Sequence, residues 1–200
     1  MKKSARTRQR ILDAAAAVFR EHGYANARLS DIAARAGIQT GSLYYHFASR
    51  EELVAEILRL GVATAWGQVR AAVDALPDEA SPTERLTAAI RTHTMAVLEI
   101  DDYASAQARI VGQVPPAIAA VHRDDRRAYG AYWHGLLVEI QRAGLLADGL
   151  DLFTARMLCI GAMNWTAEWF DPRRGTAAEV ADQAAVQLLA GLTGSPDAVP

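Results

Sequence analysis

The fold of this 200-residue chain is decided by the stretch Leu29-Ser30-Asp31-Ile32-Ala33-Ala34-Arg35-Ala36-Gly37-Ile38-Gln39-Thr40-Gly41-Ser42-Leu43-Tyr44-Tyr45-His46-Phe47. Two short helices can cross steeply only where the crossing residues are small, and Ala33 and Ala36 meet that need. Gly37 can adopt the left-handed conformation that ends one helix and begins a tight turn. Four apolar residues are spaced to lie beneath both helices: Ile32, Ile38, Leu43 and Phe47. The stretch therefore predicts a helix-turn-helix.

The outer side of its second helix is rich in hydrogen-bonding groups. They are Gln39, Thr40, Ser42, Tyr44, Tyr45 and His46. Side chains of these types contact phosphates and base edges in the major groove. Taken alone, the stretch also fits a helical hairpin inside a larger bundle.

The formal net charge of −2 hides an asymmetry along the chain. Residues 1–50 contain nine Lys or Arg and three Asp or Glu, while acidic residues are in excess after residue 50. The basic residues are Lys2, Lys3, Arg6, Arg8, Arg10, Arg20, Arg28, Arg35 and Arg50. Such an excess of basic residues attracts phosphate groups, and added salt weakens that attraction. It is also compatible with a solvated basic tail.

The periodicity of apolar residues predicts an all-α protein of about nine helices. The predicted ranges are 5–22, 29–36, 40–46, 49–75, 82–100, 103–113, 116–143, 152–170 and 176–192. Capping boxes are expected at Ser49, Ser81 and Thr176, each followed three residues later by a glutamate. Stops are expected at glycines and prolines such as Gly23 and Gly144.

The N-terminal region strongly resembles the TetR/AcrR family of bacterial regulators. The matching pieces are Asp31-Ile32-Ala33, Ala36-Gly37, Gly41-Ser42-Leu43-Tyr44-Tyr45-His46-Phe47 and Ser49-Arg50-Glu51-Glu52-Leu53. The upstream segments Ile11–Ala15 and Phe19–Tyr24 also fit the family. The resemblance implies a DNA-binding domain over 1–48, followed by a ligand-binding and dimerisation domain over 49–200.

The resemblance also implies which residues contact DNA. The helix at 40–46 would be the recognition helix, with Gln39, Thr40, Ser42, Tyr44, Tyr45 and His46 facing the duplex. Arg50 replaces the more usual lysine and would bind phosphate. Arg28 departs from a usual threonine cap; it cannot cap a helix, but its guanidinium can reach phosphate. The last two helices, 152–170 and 176–192, would pair with their symmetry mates in a homodimer.

For an effector, we consider polar or polarisable residues within apolar helices, each of which is also compatible with ordinary core packing. The candidates are His93, Tyr103, Arg109, Trp133, Met163, Asn164 and Trp165. The segment Asn164–Pro172 resembles one in family members linked to fatty-acid, sterol or acyl-CoA catabolism. The resemblance thus implies a repressor released from a palindromic operator when a small hydrophobic or acyl-CoA-like effector displaces the helix at 49–75.

Two other classes of function are weighed against this one. A helical enzyme is disfavoured because no zinc-protease or nucleophile-elbow motif occurs, and Cys159 lies in an apolar helix. A non-specific architectural DNA-binding protein would be basic throughout. We expect no metal or other cofactor and no membrane partner, since no stretch approaches the roughly 18 apolar residues of a span. With one cysteine, the chain is interpreted as cytoplasmic.

Overall fold

The computed structural model describes residues 3–100, 102–121 and 123–194. Within these ranges the chain forms helices and no strand, which confirms the predicted all-α class. The α-helices are α1 (Lys3–Asn26), α2 (Leu29–Arg35), α3 (Arg50–Asp74), α4 (Pro82–Met95), α5 (Asp102–Ile110), α6 (Pro116–Val121), α7 (Arg123–Arg142), α8 (Leu152–Trp169) and α9 (Ala177–Thr193). A 3₁₀ helix covers Thr40–Tyr45 and a π-helix covers Ala96–Ile100. No helix among the described residues is long and apolar enough to cross a membrane.

Helix starts follow the predicted capping chemistry at two of three sites. Ser81 and Thr176 each accept a hydrogen bond from the backbone N–H three residues later, and the glutamate carboxylate there accepts one from the cap's own N–H. At the third site, Ser49 accepts from Glu52 N–H, but the Glu52 carboxylate accepts from Ala48 instead. These bonds satisfy donors that a helix N-terminus leaves unpaired.

Three predicted helices differ in form from what the sequence indicated. The segment at 40–46 is a 3₁₀ helix, the tighter form that short helical pieces often take. The range 82–100 changes from α to π geometry after Met95. The range 116–143 contains α6 and α7, and His122 between them lies outside the described residues. Gly23, at φ 70°, interrupts α1 at the predicted stop.

Packing divides the chain into two units. The N-terminal unit comprises the described residues within 1–64 and 101–125, and the C-terminal unit those within 65–100 and 126–200. Helix α3 therefore contributes residues to both. This division by packing differs in its bounds from the functional division predicted at residues 48 and 49, which stays a prediction.

The N-terminal unit is built around α1. Its core joins Ile11, Phe19 and Ile32 to apolar residues of α3 and to Ile110 of α5. Helix α5 lies along α1 and approaches α3 so closely that a Cβ on Gly61 would lie 2.4 Å from the carbonyl oxygen of Tyr103. Helix α5, which lies well beyond the DNA-binding domain predicted over residues 1–48, thus completes the core of the N-terminal unit.

In the C-terminal unit, α4 packs on α9 and on α8. The most deeply buried side chains include Leu86, Ile90, Trp133, Leu137 and Leu189. Cys159 is also buried here, and burial raises the pKa of its thiol to about 11. The thiol therefore stays protonated near neutral pH, as expected of a small core residue.

Candidate nucleic-acid interface and buried polar cluster

The turn between α2 and the 3₁₀ helix is fixed from inside the N-terminal unit. Gly37 has φ 65°, the left-handed conformation that its position was predicted to need. The Arg10 guanidinium donates to the carbonyl oxygens of Ala36 and Gly37, which satisfies the end of α2. Leu43 and Phe47 are both buried. The 3₁₀ helix is therefore anchored at the turn and along its inner side.

Its outer side is open to solvent. The exposed fraction is 57% for Tyr44 and 90% for Tyr45, unusually high for large aromatic side chains. Gln39 and Thr40 are exposed as well, while Ser42 and His46 are half-buried. An anchored helix that presents hydrogen-bonding and aromatic groups outward has the arrangement needed to enter a DNA groove.

Several of the basic residues counted in the sequence are neutralised within the protein. Arg8 pairs with Glu56 at 3.3 Å, Arg20 with Asp102 at 3.2 Å, and Arg35 with Glu21 at 2.8 Å. Arg8 also lies 4.8 Å over the ring of Phe47. These arginines contribute to the packing of the unit as well as to its charge.

Arg50 is also engaged internally. Its guanidinium donates to the carbonyl oxygen of Tyr24 at 2.5 Å and lies 4.3 Å from the centroid of the Tyr24 ring. By contrast, within the described ranges the guanidinium groups of Arg6 and Arg28 are exposed and make no ion pair or hydrogen bond. Arg28 precedes α2 without capping it, as expected for an arginine side chain. Lys2 and the side chain of Lys3 lie outside the described residues.

The C-terminal unit contains a hydrogen-bonded triad centred on the buried His93 of α4, with Tyr129 buried as well and Asn164 half-buried. The Nδ1 atom of His93 lies 2.8 Å from the Tyr129 hydroxyl and its Nε2 lies 3.0 Å from Oδ1 of Asn164. An amide oxygen only accepts, so Nε2 carries the proton and donates. Burial lowers the pKa of His93 and keeps the ring neutral, so Nδ1 accepts from Tyr129.

Aromatic rings pack around these hydrogen-bonded side chains. Trp133 meets His93 edge to face at 5.7 Å, and Trp66 stacks on Tyr129 at 6.1 Å. Burial also raises the pKa of Tyr129, and the nearby indole N–H of Trp133 opposes this shift by approaching the phenol oxygen as a donor. Residues of α3, α4, α7 and α8 thus form one neutral polar cluster, which we call the His93 cluster: Trp66, His93, Tyr129, Trp133 and Asn164.

The candidate effector residues fall in three places. His93, Trp133 and Asn164 meet in the His93 cluster, and Met163 is buried beside Asn164 in sequence. Tyr103 and Arg109 lie on α5 in the N-terminal unit, where Tyr103 donates to Asp13 at 2.5 Å. Trp165 is 65% exposed. Sequence reasoning missed Trp66 and Tyr129 because each resembles an ordinary core residue on its own helix.

Helix α8 has a broad apolar face that nothing in the described chain covers. Its exposed large residues recur at helical spacing: Phe153, Met157, Leu158, Trp165 and Trp169. A groove of about 640 Å³ lies between α8 and α9, lined by residues that include Met163, Trp169 and Leu188. On α9, the small residues Ala181 and Ala185 are buried in the chain's own core and are not available to a partner.

An anchored helix-turn-helix joined to a helical unit with a buried polar cluster defines the class of helix-turn-helix regulators. Residues 11–57 match the family described as bacterial regulatory proteins of the tetR family, and residues 79–192 match the tetracyclin repressor-like C-terminal domain. The chain belongs to the TetR family of transcriptional regulators.

Its relatives include characterised regulators. The HTH-type transcriptional repressor KstR2 of Mycobacterium tuberculosis is 31% identical over 192 residues, covering 93% of this chain and 92% of its own. A structure of that protein, called a ketosteroid transcriptional regulator, has a TM-score of 0.74 at 28% identity, over 93% of this chain and 94% of that one. The fatty acid metabolism regulator protein of Bacillus subtilis is 24% identical over 157 residues, covering 78% of this chain and 79% of its own.

Proposed function

We propose that the chain is a repressor that binds palindromic operator DNA as a homodimer and leaves it when an effector binds. The observation that carries this proposal is the anchored 3₁₀ helix with its own residues Tyr44 and Tyr45 exposed on the outer side. The proposed DNA contacts are Arg28, Gln39, Thr40, Ser42, Tyr44, Tyr45, His46 and Arg50. The functional division into residues 1–48 and 49–200 is part of the proposal.

Among these contacts, Arg28 and Arg50 have different roles. The free guanidinium of Arg28 binds phosphate. Arg50 uses part of its guanidinium to hold the end of α1 through the Tyr24 carbonyl oxygen, and its remaining N–H groups are available to phosphate. The resemblance of Arg50 to the lysine usual at this position supports phosphate binding.

The homodimer forms through α8 and α9. The exposed apolar face of α8 supports this arrangement, since a contiguous patch of this kind commonly marks an interface. A two-fold dimer carries two recognition helices, which matches the two half-sites of a palindrome.

The effector is a large hydrophobic or acyl-CoA-like molecule that binds in the C-terminal unit near His93, Trp133, Met163 and Asn164. Relatives named for ketosteroid regulation and for fatty acid metabolism support this class. Effector binding displaces α3, which has residues in both packing units. The resulting change in spacing between the two recognition helices prevents simultaneous contact with both half-sites.

Selection of binding sites tests this function directly. Purified protein is incubated with a pool of random duplexes, and bound DNA is recovered and sequenced over several rounds. We expect an inverted repeat whose half-sites lie about one helical turn, roughly 34 Å, or a multiple of it apart. A pool that stays random would contradict the proposal and favour the architectural alternative.

A further inference from the structure

The His93 cluster contains two hydrogen-bond donors that the described residues leave unpaired. The indole Nε1 atoms of Trp66 and Trp133 are inaccessible to solvent and have no acceptor at hydrogen-bonding geometry. Leaving a buried donor unpaired destabilises the folded protein, and native proteins retain few such groups. Both indole rings border the same phenol ring, at 6.1 Å and 6.2 Å from Tyr129. The pair therefore indicates a site for an acceptor.

The rest of the cluster does not supply that acceptor. Both ring nitrogens of His93 are used, one by Tyr129 and one by Asn164. The Tyr129 proton is directed to His93. The Trp133 indole approaches the Tyr129 oxygen closely enough to oppose the rise in its pKa, but neither Trp66 nor Trp133 meets an acceptor at hydrogen-bonding geometry. The two hydrogen bonds of His93 thus hold the cluster in one arrangement, and the groups left without an acceptor are the two indole N–H groups.

The cluster is also electrically neutral. Burial is the largest influence on both His93 and Tyr129, and it disfavours a charge on either ring. A carboxylate brought here would lose its hydration with no cation among the cluster residues to replace it, which is costly. A ketone or thioester carbonyl accepts two hydrogen bonds and loses far less hydration.

The backbone beside the cluster is irregular. The π-helix Ala96–Ile100 follows directly after the helix that carries His93, and α8, which carries Asn164, packs against it. Single π-helical turns are rare and occur frequently at functional sites. This irregular segment thus adjoins both helices that supply the hydrogen-bonding partners His93 and Asn164.

We propose that the indole N–H groups of Trp66 and Trp133 bind a neutral carbonyl oxygen of the effector, and that this core selects ketones or thioesters over carboxylates. The inference rests on the proposed function, because it takes the C-terminal unit to be the effector-binding part.

Three matched compounds test the selection on the full-length protein. They are the decanoyl thioester of N-acetylcysteamine, the corresponding decyl thioether, which lacks only the carbonyl oxygen, and decanoate. Isothermal titration should give an affinity for the thioester about tenfold or more above that for the thioether, as two neutral hydrogen bonds provide. Decanoate should bind more weakly than the thioester.

Variants assign the effect to the two indoles. The variants Trp133→Phe and Trp66→Phe each keep an aromatic ring and remove one N–H. Each should therefore lower the ratio of the affinity for the thioester to the affinity for the thioether by about threefold to tenfold. Tyr132→Phe removes a polar group of α7 outside the cluster and should leave the ratio of the two affinities unchanged. Circular dichroism establishes that each variant is folded.

The outcomes separate this inference from the proposed function. A protein that binds its operator but shows a ratio near one, or binds no thioester, overturns the inference alone. The same holds if both cluster variants keep the wild-type ratio. A protein that shows the indole-dependent ratio but binds no operator supports the inference and contradicts the proposed function.

Discussion

The two packing units hold their polar side chains in opposite ways. In the N-terminal unit, arginines and glutamates pair near the surface to fix a short helix, and tyrosines are left in solvent. In the C-terminal unit, His93, Tyr129 and Asn164 pair with one another in the interior. A surface that meets a large, charged partner needs exposed groups on a rigid support. A core that receives a small molecule needs polar groups whose water has already been removed.

The largest contrast is expected in stability. Trp133→Ala should lower the free energy of unfolding by about 3–5 kcal/mol, because a buried ring is replaced by a cavity. Tyr45→Ala should change it by less than about 0.5 kcal/mol, because that side chain is 90% exposed. Urea denaturation measures both. The contrast between the units would fail if the two variants were equally destabilised.

The apolar face of α8 is the exception to the interior character of the C-terminal unit. Leu158→Glu would bring an unpaired charge into the proposed interface, and we expect dimerisation to weaken by about a hundredfold or more. Val121→Glu, on α6, is the matched control because Val121 is similarly exposed, at 72% against 68% for Leu158. Analytical ultracentrifugation compares them, and two dimeric variants would rule out this face.

Acid should destabilise the protein through His93. Because its pKa is lowered by burial, the unfolded chain binds its proton first as the pH falls below about 6.5. The contribution of the neutral His93 ring to the free energy of unfolding is therefore fully present above that pH. Below it, the contribution decreases by at most about 1.4 kcal/mol per pH unit. His93→Gln should remove this part of the slope between pH 7 and pH 5. A slope identical to that of wild type would mean that another group is responsible.

The smallest expected change concerns the salt dependence of DNA binding. Arg28→Ala should reduce the slope of log affinity against log salt by about 0.9, the value for one phosphate contact. Arg35→Ala removes the same charge but breaks an internal pair with Glu21, so its slope should be closer to wild type. Equal losses for the two variants would show that total charge alone determines binding.

The sequence predicted features that depend on neighbouring residues. The turn at Gly37 and the exposed Tyr45 follow from spacing within one short stretch, and both are present. The His93 cluster could not be predicted in full, because its partners are 36 and 71 residues away on other helices. The same limit applies to the arginine pairs: a count of charges does not reveal that Arg20 meets Asp102 across the N-terminal unit.

The local geometry of the recognition segment was also beyond the sequence pattern. An apolar period of three to four residues is shared by short α- and 3₁₀-helices, so Thr40–Tyr45 could not be assigned to the tighter form. Likewise, no residue type in Ala96–Ile100 signals a change to π geometry. These departures depend on packing that only the folded chain supplies.

Fluorescence anisotropy on three duplexes tests the central claim most directly. They are the selected palindrome, the same duplex with one half-site scrambled, and a random duplex. Wild-type protein should bind the palindrome roughly 10³-fold or more tightly than the random duplex. Scrambling one half-site, or the substitution Tyr45→Ala, should each remove much of this preference. Equal affinity for all three duplexes, or no binding to any of them at low ionic strength, would contradict the central claim.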